Sequence, residues 1–384
     1  MHELRVVLID VIPPHRHLSD ALKDLAELHL LVKTYGGTDV VKIIQHRTAP
    51  DKATFIGSGK VNELAKIIKK ERIGQIIINS IVQPTQLFNL TRSLWSVNPN
   101  IQVWDRVDLI LNIFDKNARS AEAKLQIEIA RMFHMKFRIY GLGGTLLSRQ
   151  AGGIGTRGIG ETNVERMRRH FKKQIKKKKE ELEKLTTHRQ RQLSRRKENG
   201  IKTISIIGYT NAGKTFLFNL LTGKKNAVKD ALFVTLDSSV GSLKLNTLRV
   251  RKSTNTHAEG VDNIVISDTI GFIQNLPPTL IDSFKSTLME SIYADIILHL
   301  IDISDEKMDE KIRTVEKITY ELGISKKKQI FVFNKIDKLN GDLSELFNSL
   351  KEKYSDFSPQ FISVKTSEGI ESLKEDIRRS ILTA

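Results

Sequence analysis

The stretch from Thr203 to Leu221, which reads TISIIGYTNAGKTFLFNLL, constrains the fold more than any other part of this chain. A short apolar run ends at Gly208, and the positions from there to Thr215 fit the pattern G-x-x-x-x-G-K-[ST] before helix-like sequence begins. Glycines let the backbone curl until its N–H groups face phosphate oxygens, and a helix N-terminus adds positive potential there. In this context the motif predicts a phosphate-binding loop between a strand and a helix.

The lysine and the threonine that end the motif have separate predicted roles. Lys214 is expected to reach the β- and γ-phosphates of a nucleotide, and the Thr215 hydroxyl is expected to ligate Mg²⁺. The nucleotide contacts predicted for this loop come from Gly208, Tyr209, Thr210, Asn211, Ala212, Gly213, Lys214 and Thr215.

A second motif indicates which base is bound. FNKID places Asp337 just after an apolar strand, where its carboxylate can accept hydrogen bonds from the N1–H and the 2-amino group of guanine. Adenine offers no such pair and would leave a carboxylate unsatisfied. The segment ISVKT, residues 362–366, is predicted to close over the base. GTP is therefore the predicted ligand, and its base contacts are assigned to Asn334, Lys335, Ile336, Asp337, Ser363, Val364 and Lys365.

A third motif, SDTIG at residues 267–271, reads D-x-x-G. Asp268 is expected to hold Mg²⁺ through water, and the Gly271 N–H is expected to touch the γ-phosphate. Thr235 in LFVTLD is the candidate switch threonine, which closes on Mg²⁺ when the γ-phosphate is present. Lys214, Thr235 and Gly271 are the predicted catalytic residues, and Thr215, Thr235 and Asp268 are the predicted metal ligands. The further nucleotide contacts are Phe233, Val234, Thr235, Leu236, Asp237, Asp268, Thr269, Ile270 and Gly271.

Two positions bear on the rate of hydrolysis. Many GTPases follow D-x-x-G with a glutamine that orients the attacking water, whereas Phe272 stands here and its ring cannot make that hydrogen bond. The isolated protein is therefore predicted to be slow, and a partner could add on the order of 10³–10⁵ in rate. Asn211 resembles the asparagine that helps to bind K⁺ in potassium-activated GTPases, and stabilisation of the turn is its alternative role.

Pattern changes along the chain predict an α/β protein in three parts. Residues 1–118 form a small N-terminal α/β domain, and residues 119–199 form a basic helical hairpin arm. A glycine-rich loop with eight glycines joins the two helices of the arm between Gly141 and Gly160. Residues 200–384 form a doubly wound P-loop GTPase domain of parallel strands, with a meander around 236–251.

Positive charge concentrates in the arm. Of the net charge of +18, residues 131–200 carry +14, from 20 lysines and arginines against 6 aspartates and glutamates. Such a block indicates contact with nucleic acid or an anionic membrane, and a solvated helical hairpin is the alternative. The predicted RNA contacts are Arg149, Gly152, Gly153, Gly155, Arg157, Gly158, Gly160, Lys176, Lys177, Lys178 and Lys179.

Taken in order, GGIGTRGIGE, the basic arm, GYTNAGKT, FVTLD, DTIGFI and NKID resemble the HflX family of GTPases across essentially the whole chain. Ile159 stands where the family usually has proline, and Val364 stands where GTPases often have alanine. The resemblance implies binding to the rRNA of the large ribosomal subunit and GTP hydrolysis stimulated there. It also implies that stalled or idle 70S ribosomes are split. Some members carry a further C-terminal domain, which we expect to be missing after Ala384.

Two other functions stay open on the sequence alone: a GTPase of ribosome assembly or RNA modification, and an RNA- or membrane-bound scaffold locked by GTP. The chain contains no cysteine, which fits a reducing compartment. Its N-terminus reads as a strand, and no apolar run is long enough to span a membrane. We therefore expect a cytoplasmic monomer with at most peripheral membrane association and no DNA partner.

Overall fold

The computed structural model describes residues 4–150, 157–226, 232–233, 238–243, 264–274, 280–281, 284–285 and 287–382. For residues 136–150, 157–164 and 167–168 it describes the helical backbone alone. The chain divides into two compact units, Met1–Leu182 and Glu183–Ala384. The division into three domains at residues 118 and 199 stays a prediction.

The first unit contains a four-stranded parallel sheet in the order β2-β1-β3-β4. Its strands are β1 Leu4–Ile12, β2 Gly37–His46, β3 Gln75–Ile78 and β4 Gln102–Asp105. Its first helices are α1 Leu18–Tyr35, α2 Ser58–Glu71, α3 Pro84–Leu94 and α4 Arg106–Asn117. The apolar runs LRVVLIDVI, DVVKIIQH, QIIINSI and IQVWDR predict these four strands, and the stretches LSDALKDLAELHLLV, GKVNELAKIIKKERI and PTQLFNLTRSLW predict the first three helices. In β1 the residues from Val6 to Ile9 are fully buried, as both faces of a parallel sheet normally are.

Helix α4 was not predicted. Val107, Ile110, Leu111 and Phe114 are buried and do repeat at helical spacing. The helix begins at Arg106 directly after β4 ends at Asp105, with no connecting loop to mark the boundary. A short apolar run that continues from a strand does not by itself distinguish a helix from a longer strand.

The predicted loop between Gly141 and Gly160 is wrong at both ends. Helix α5 runs from Ala121 to Gln150, and helix α6 runs from Arg157 to Glu198. A glycine inside a helix costs only about 1 kcal/mol relative to alanine, and each turn that extends an existing helix adds hydrogen bonds without a new nucleation step. The helices therefore extend through glycines that we expected to end them. Residues 151–156 lie outside the described residues.

His134 on α5 joins α5 to the N-terminus of α4. Asp105 and Asp108 form a capping box, in which the Asp105 carboxylate accepts from the Asp108 N–H at 2.9 Å and the Asp108 carboxylate accepts from the Asp105 N–H at 3.0 Å. One further oxygen of each carboxylate lies 3.3 Å from His134 Nε2. Burial disfavours the imidazolium, but the two carboxylates outweigh burial and raise the pKa of His134 to about 9. These side chains could also offer ligands to a metal ion, but the capping box and the ion pairs account for all three.

This ion pair predicts a pH-dependent stability. Because the folded-state pKa of His134 lies above its ordinary value, the contribution is complete below about pH 6.5 and is lost as the pH rises through about 9. We expect the difference in the free energy of unfolding between the wild type and His134→Gln to shrink by about 3 kcal/mol between pH 6 and pH 10. Urea unfolding of both proteins at each pH measures it. A difference that does not change with pH contradicts the charged pair, and one that appears only when Zn²⁺ is added indicates a metal site.

The second unit contains a six-stranded sheet in the order β10-β9-β8-β5-β7-β6. Its strands are β5 Lys202–Gly208, β6 Ser239–Ser242, β7 Ile264–Asp268, β8 Ile296–Asp302, β9 Lys328–Asn334 and β10 Gln360–Ile362. Its helices after α6 are α7 Lys214–Thr222, α8 Met289–Tyr293, α9 Met308–Glu321, α10 Ser344–Lys353 and α11 Ile370–Leu382. All neighbours are parallel except β6, which pairs antiparallel with β7. The predicted all-parallel sheet is therefore mixed at one edge, and of the predicted meander only β6 lies within the described residues.

The strand order of the second unit indicates where its ligand-binding crevice lies. Strand β5 has β7 on one side and β8 on the other, so the connections that follow β5 and β7 lead to opposite sides of the sheet. A crevice forms at the carboxyl ends of the strands where the order reverses in this way. The described part of the chain contains no helix that is both long enough and apolar enough to cross a bilayer.

Candidate functional site

The phosphate-binding loop leaves β5 through two glycines that no other residue could replace without strain. Gly208 has φ +149°, and a Cβ atom there would lie 2.3 Å from the Leu300 carbonyl oxygen. Gly213 has φ +100°, and a Cβ atom there would lie 2.6 Å from Asn334 Nδ2. The glycines of the motif therefore satisfy both a left-handed backbone and a close approach to β8 and β9.

Lys214 lies at the first turn of α7 with only 7% of its surface exposed. Its Nζ donates a hydrogen bond to the Tyr209 carbonyl oxygen at 2.7 Å, so the side chain folds back across the loop. Burial lowers the pKa of Lys214 to about 8, although the Asp268 carboxylate favours the charged form. A polyanionic ligand would stabilise the ammonium and offset this desolvation.

Asp268 and Thr215 meet at the carboxyl end of β7. The Thr215 hydroxyl donates to Asp268 Oδ2 at 2.7 Å, and Asp268 is fully buried. The other carboxylate oxygen, Oδ1, makes no hydrogen bond within the described residues. Burial raises the pKa of Asp268, and a bound cation would reverse that shift. Two hard oxygen donors, one of them buried without a hydrogen bond, fit Mg²⁺.

Backbone hydrogen bonds attach the D-x-x-G segment to the phosphate-binding loop. The Phe272 N–H donates to the Gly208 oxygen at 3.1 Å, and the Thr210 N–H donates to the Phe272 oxygen at 2.8 Å. A Cβ atom on Gly271 would lie 2.7 Å from Thr210 Cγ2 and 2.9 Å from Lys214 Nζ. Position 271 therefore lies directly against the lysine and the loop, and the contact of its N–H with a γ-phosphate stays a prediction.

Asn334 joins three parts of the nucleotide site at the ends of β9 and β10. Its Nδ2 donates to the Ala212 oxygen at 2.7 Å, and its Oδ1 accepts from the Val364 N–H at 3.0 Å. Beside it, the Ser363 hydroxyl donates to Asp337 Oδ1 at 2.6 Å, and Asp337 is exposed. An exposed carboxylate held by a buried serine is oriented and still open to a base.

Two contacts of the site were not predicted. Lys335, which has φ +70°, donates through Nζ to Asp302 Oδ2 at 2.6 Å at the end of β8. The Tyr209 ring has Lys311 Nζ at 4.7 Å from its centre. Asp302 could have been found by the rule that located Asp268, because it also ends an apolar strand of the same sheet.

The structure brings most of the predicted nucleotide contacts to one edge of the sheet. These are residues 208–215, 268–271, 334–337 and 363–365. Phe233 is buried with φ +59°, and Val234, Thr235, Leu236 and Asp237 lie outside the described residues. The roles of all these residues stay predictions.

The predicted RNA contacts of the arm are only partly described. Lys176 and Lys177 are exposed on α6, whereas Lys178 pairs with Glu128 and Lys179 Nζ lies 5.0 Å from the centre of the Phe133 ring. Lys176 Nζ also lies 3.8 Å from Glu180 Oε1, so three of the four lysines have a partner within the arm. The structure gives only helical backbone for Arg149, Arg157, Gly158 and Gly160, and Gly152, Gly153 and Gly155 lie outside the described residues.

A glycine loop with a buried lysine, a D-x-x-G segment and an N-K-x-D segment at the strand ends of one sheet define a P-loop GTPase. Three family profiles match the chain: "GTP-binding GTPase N-terminal" over residues 22–115, "GTP-binding GTPase Middle Region" over 117–196 and "50S ribosome-binding GTPase" over 203–335.

Known proteins then identify the family. The GTPase HflX of Caldanaerobacter subterraneus is 40% identical over 356 residues, which cover 91% of this chain and 77% of the relative. That of Escherichia coli is 34% identical over 354 residues, which cover 92% and 78%. A crystal structure of a GTP-binding protein from Sulfolobus solfataricus in complex with GDP covers 99% of both chains at 25% identity and a TM-score of 0.50. The chain belongs to the HflX family of GTPases, which confirms the resemblance, and it binds and hydrolyses GTP.

The position of Phe272 predicts that restoring the missing glutamine will not restore activity. Phe272 is only 2% exposed, so its side chain packs inside the domain. Its backbone N–H and carbonyl oxygen bond the phosphate-binding loop. We expect Phe272→Gln to hydrolyse GTP no faster than the wild type and to unfold at lower temperature, because a buried amide replaces an apolar ring. Single-turnover hydrolysis without any partner and thermal unfolding measure both effects. Phe272→Leu is the control that keeps an apolar side chain. A glutamine variant at least ten times faster would contradict this account.

Proposed function

We propose that this GTPase binds the large ribosomal subunit through its rRNA and uses the GTP cycle to split stalled or idle 70S ribosomes. The observation that carries the proposal is helix α6, on which Lys176 and Lys177 are exposed within the most basic part of the chain. The profile matched over residues 203–335 is described as a 50S ribosome-binding GTPase, which supports the same partner.

The chemistry that we propose assigns each group at the strand ends one task. Lys214 neutralises charge on the β- and γ-phosphates, and the Gly271 N–H donates to the γ-phosphate. Thr215 and Asp268 would hold Mg²⁺, with Thr235 as a further ligand in the GTP state, and the ion would neutralise charge on the phosphates. Asn211, whose backbone is left-handed at φ +65°, holds K⁺ or stabilises the loop. The electrostatic groups that a glutamine or an arginine finger would supply come from the ribosome, so hydrolysis is slow until the ribosome is bound.

Exposed positive charge on the arm fits a polyanionic partner, and the profile described as a 50S ribosome-binding GTPase favours RNA over a membrane or DNA as that partner. Lysines spaced along one helix attract a polyphosphate backbone from a distance, and the affinity falls steeply as salt rises. We propose that the protein acts as a cytoplasmic monomer and that any membrane association is peripheral.

Sedimentation of purified 70S ribosomes with the protein tests the proposal. We expect subunits to separate with GTP and with a non-hydrolysable analogue, and 70S particles to remain with GDP. Binding to a precursor subunit alone would favour a role in ribosome assembly or RNA modification. Neither binding nor splitting would overturn the proposal and favour a GTP-locked scaffold.

Two further variants test the arm itself. Lys176→Gln with Lys177→Gln removes two exposed charges, and we expect weaker ribosome binding with a shallower salt dependence and unchanged GTP affinity. The matched control is Lys69→Gln with Lys70→Gln, which removes the same charge from exposed positions on α2. If both pairs of substitutions weaken ribosome binding equally, a general loss of positive charge explains the effect, and the arm is not part of the proposed interface.

Arg157→Ala with Gly158→Ala tests the tip of the arm, and we expect splitting to be impaired with GTP binding intact.

A further inference from the structure

The side chain of Tyr209, the residue after Gly208, takes no part in the mechanism proposed for the site. Tyr209 is nevertheless only 6% exposed, and Lys311 Nζ lies 4.7 Å from the centre of its ring. Lys311 is itself paired with Asp305. Because a cation over the face of an aromatic ring attracts that ring, the Tyr209 side chain has a defined place in the fold.

The hydroxyl group of Tyr209 reaches the residues that follow the D-x-x-G motif. The Gln274 backbone N–H donates to the Tyr209 hydroxyl oxygen at 2.7 Å. The same two segments already form an isolated parallel bridge between Tyr209 and Phe272, which consists of backbone hydrogen bonds. The hydroxyl therefore adds a further attachment to the phosphate-binding loop, two residues beyond the bridge.

The backbone and the side chain of Tyr209 thus bond two different parts of the candidate site. The backbone carbonyl oxygen accepts from Lys214 Nζ at 2.7 Å, and the hydroxyl oxygen accepts from Gln274. Gly271 lies at the lysine end of this link, since a Cβ atom there would lie 2.9 Å from Lys214 Nζ. The next residue, Phe272, is bonded to the loop. One residue therefore connects the lysine to the segment that contains position 271.

We propose that Tyr209 is, through its hydroxyl, a positioning residue for Gly271, and this rests on the proposed contact of the Gly271 N–H with the γ-phosphate. The hydroxyl fixes residues 271–274 on the loop before a nucleotide binds, so less conformational freedom is lost when that contact forms. GDP has no γ-phosphate, so the benefit applies to GTP alone. Phenylalanine would keep the ring but could not accept a hydrogen bond, and the Gln274 N–H would lose this partner.

Nucleotide affinities and single-turnover rates of matched variants test this positioning role. We expect Tyr209→Phe to bind a non-hydrolysable GTP analogue about 3- to 10-fold more weakly with Mg²⁺ present, and to bind GDP within about twofold of the wild type. Hydrolysis of bound GTP should slow by a similar factor. The control is Tyr354→Phe, which removes a hydroxyl that donates to Asp309 Oδ1 at 2.9 Å in the same compact unit. It should keep the wild-type rate and the wild-type ratio of the two affinities.

Gly271→Ala separates the positioning role from the assignment on which it rests. The added Cβ atom would press on Thr210 Cγ2 and Lys214 Nζ, so we expect this variant to lose affinity for the analogue and to keep its affinity for GDP. If its analogue affinity is unchanged, the γ-phosphate contact fails and the positioning role fails with it. If it loses analogue affinity while Tyr209→Phe does not, only the positioning role fails. An equal loss for GDP in Tyr209→Phe, or the same ratio change in Tyr354→Phe, would also overturn the role of Tyr209.

Discussion

Lys214→Ala is expected to lower the GTP turnover number by at least about 10²–10³-fold, since it removes a preorganised charge from the β- and γ-phosphates. The side chain is buried and folded across the loop, and a water molecule in its place would carry no positive charge. Burial also holds its pKa near 8, and the nucleotide-free protein should therefore bind GTP less well as the pH rises above that value, where the free lysine loses its proton. Steady-state and single-turnover hydrolysis across pH measure both effects.

The control for Lys214→Ala is Lys317→Ala, which removes the same charge from an exposed position on α9. We expect the control to keep wild-type turnover at every pH. Turnover of Lys214→Ala within about threefold of the wild type would exclude the lysine from the mechanism. If activity and the unfolding temperature fall together, lost packing could explain the loss of activity. Lys214→Met retains most of the apolar stem and therefore separates loss of the charge from loss of packing.

Asp337→Asn is expected to weaken GTP binding by about 10²–10⁴-fold, because a donor replaces one of the two acceptors that face guanine. The structure adds a reason for a large effect: Ser363 donates to Asp337 Oδ1 at 2.6 Å, so the carboxylate is held in one orientation. Titration with a fluorescent GTP analogue measures the change in dissociation constant.

Xanthosine triphosphate provides the complementary measurement for this variant. Xanthine carries a carbonyl oxygen at C2 where guanine carries an amino group, so the asparagine amide can donate to it while its oxygen accepts from N1–H. We expect Asp337→Asn to bind the xanthine nucleotide better than GTP and the wild type to show the reverse order. Asp342→Asn, an exposed carboxylate five residues away, is the control and should keep the wild-type preference. Unchanged GTP affinity in a folded Asp337→Asn protein would remove Asp337 from base recognition.

The parts of the site that sequence alone could establish are those determined by short-range chemistry. A glycine loop at Gly208–Thr215 follows a strand and opens a helix, and each residue in it is constrained by its immediate neighbours. The same holds for Asp268, which ends an apolar strand, and for Asp337, which follows one. The rule that parallel strands present their carboxyl ends at one edge then predicts that these motifs meet. In the same way, the apolar runs identified β1 and β5 because buried parallel strands are continuously hydrophobic.

Other features depended on contacts between residues far apart in the chain, which no local pattern records. The link from Asn334 to Ala212 spans 122 positions, and the one from Arg189 to Ser238 spans 49. Helix α4 escaped prediction because it follows β4 without a connecting loop, and the arm helices extended through glycines because a formed helix tolerates them. Sequence therefore determined the chemistry of each motif and the family to which the chain belongs. Tertiary packing decided which carboxylates were buried, which lysines were already paired, and which arginine contacted Ser238.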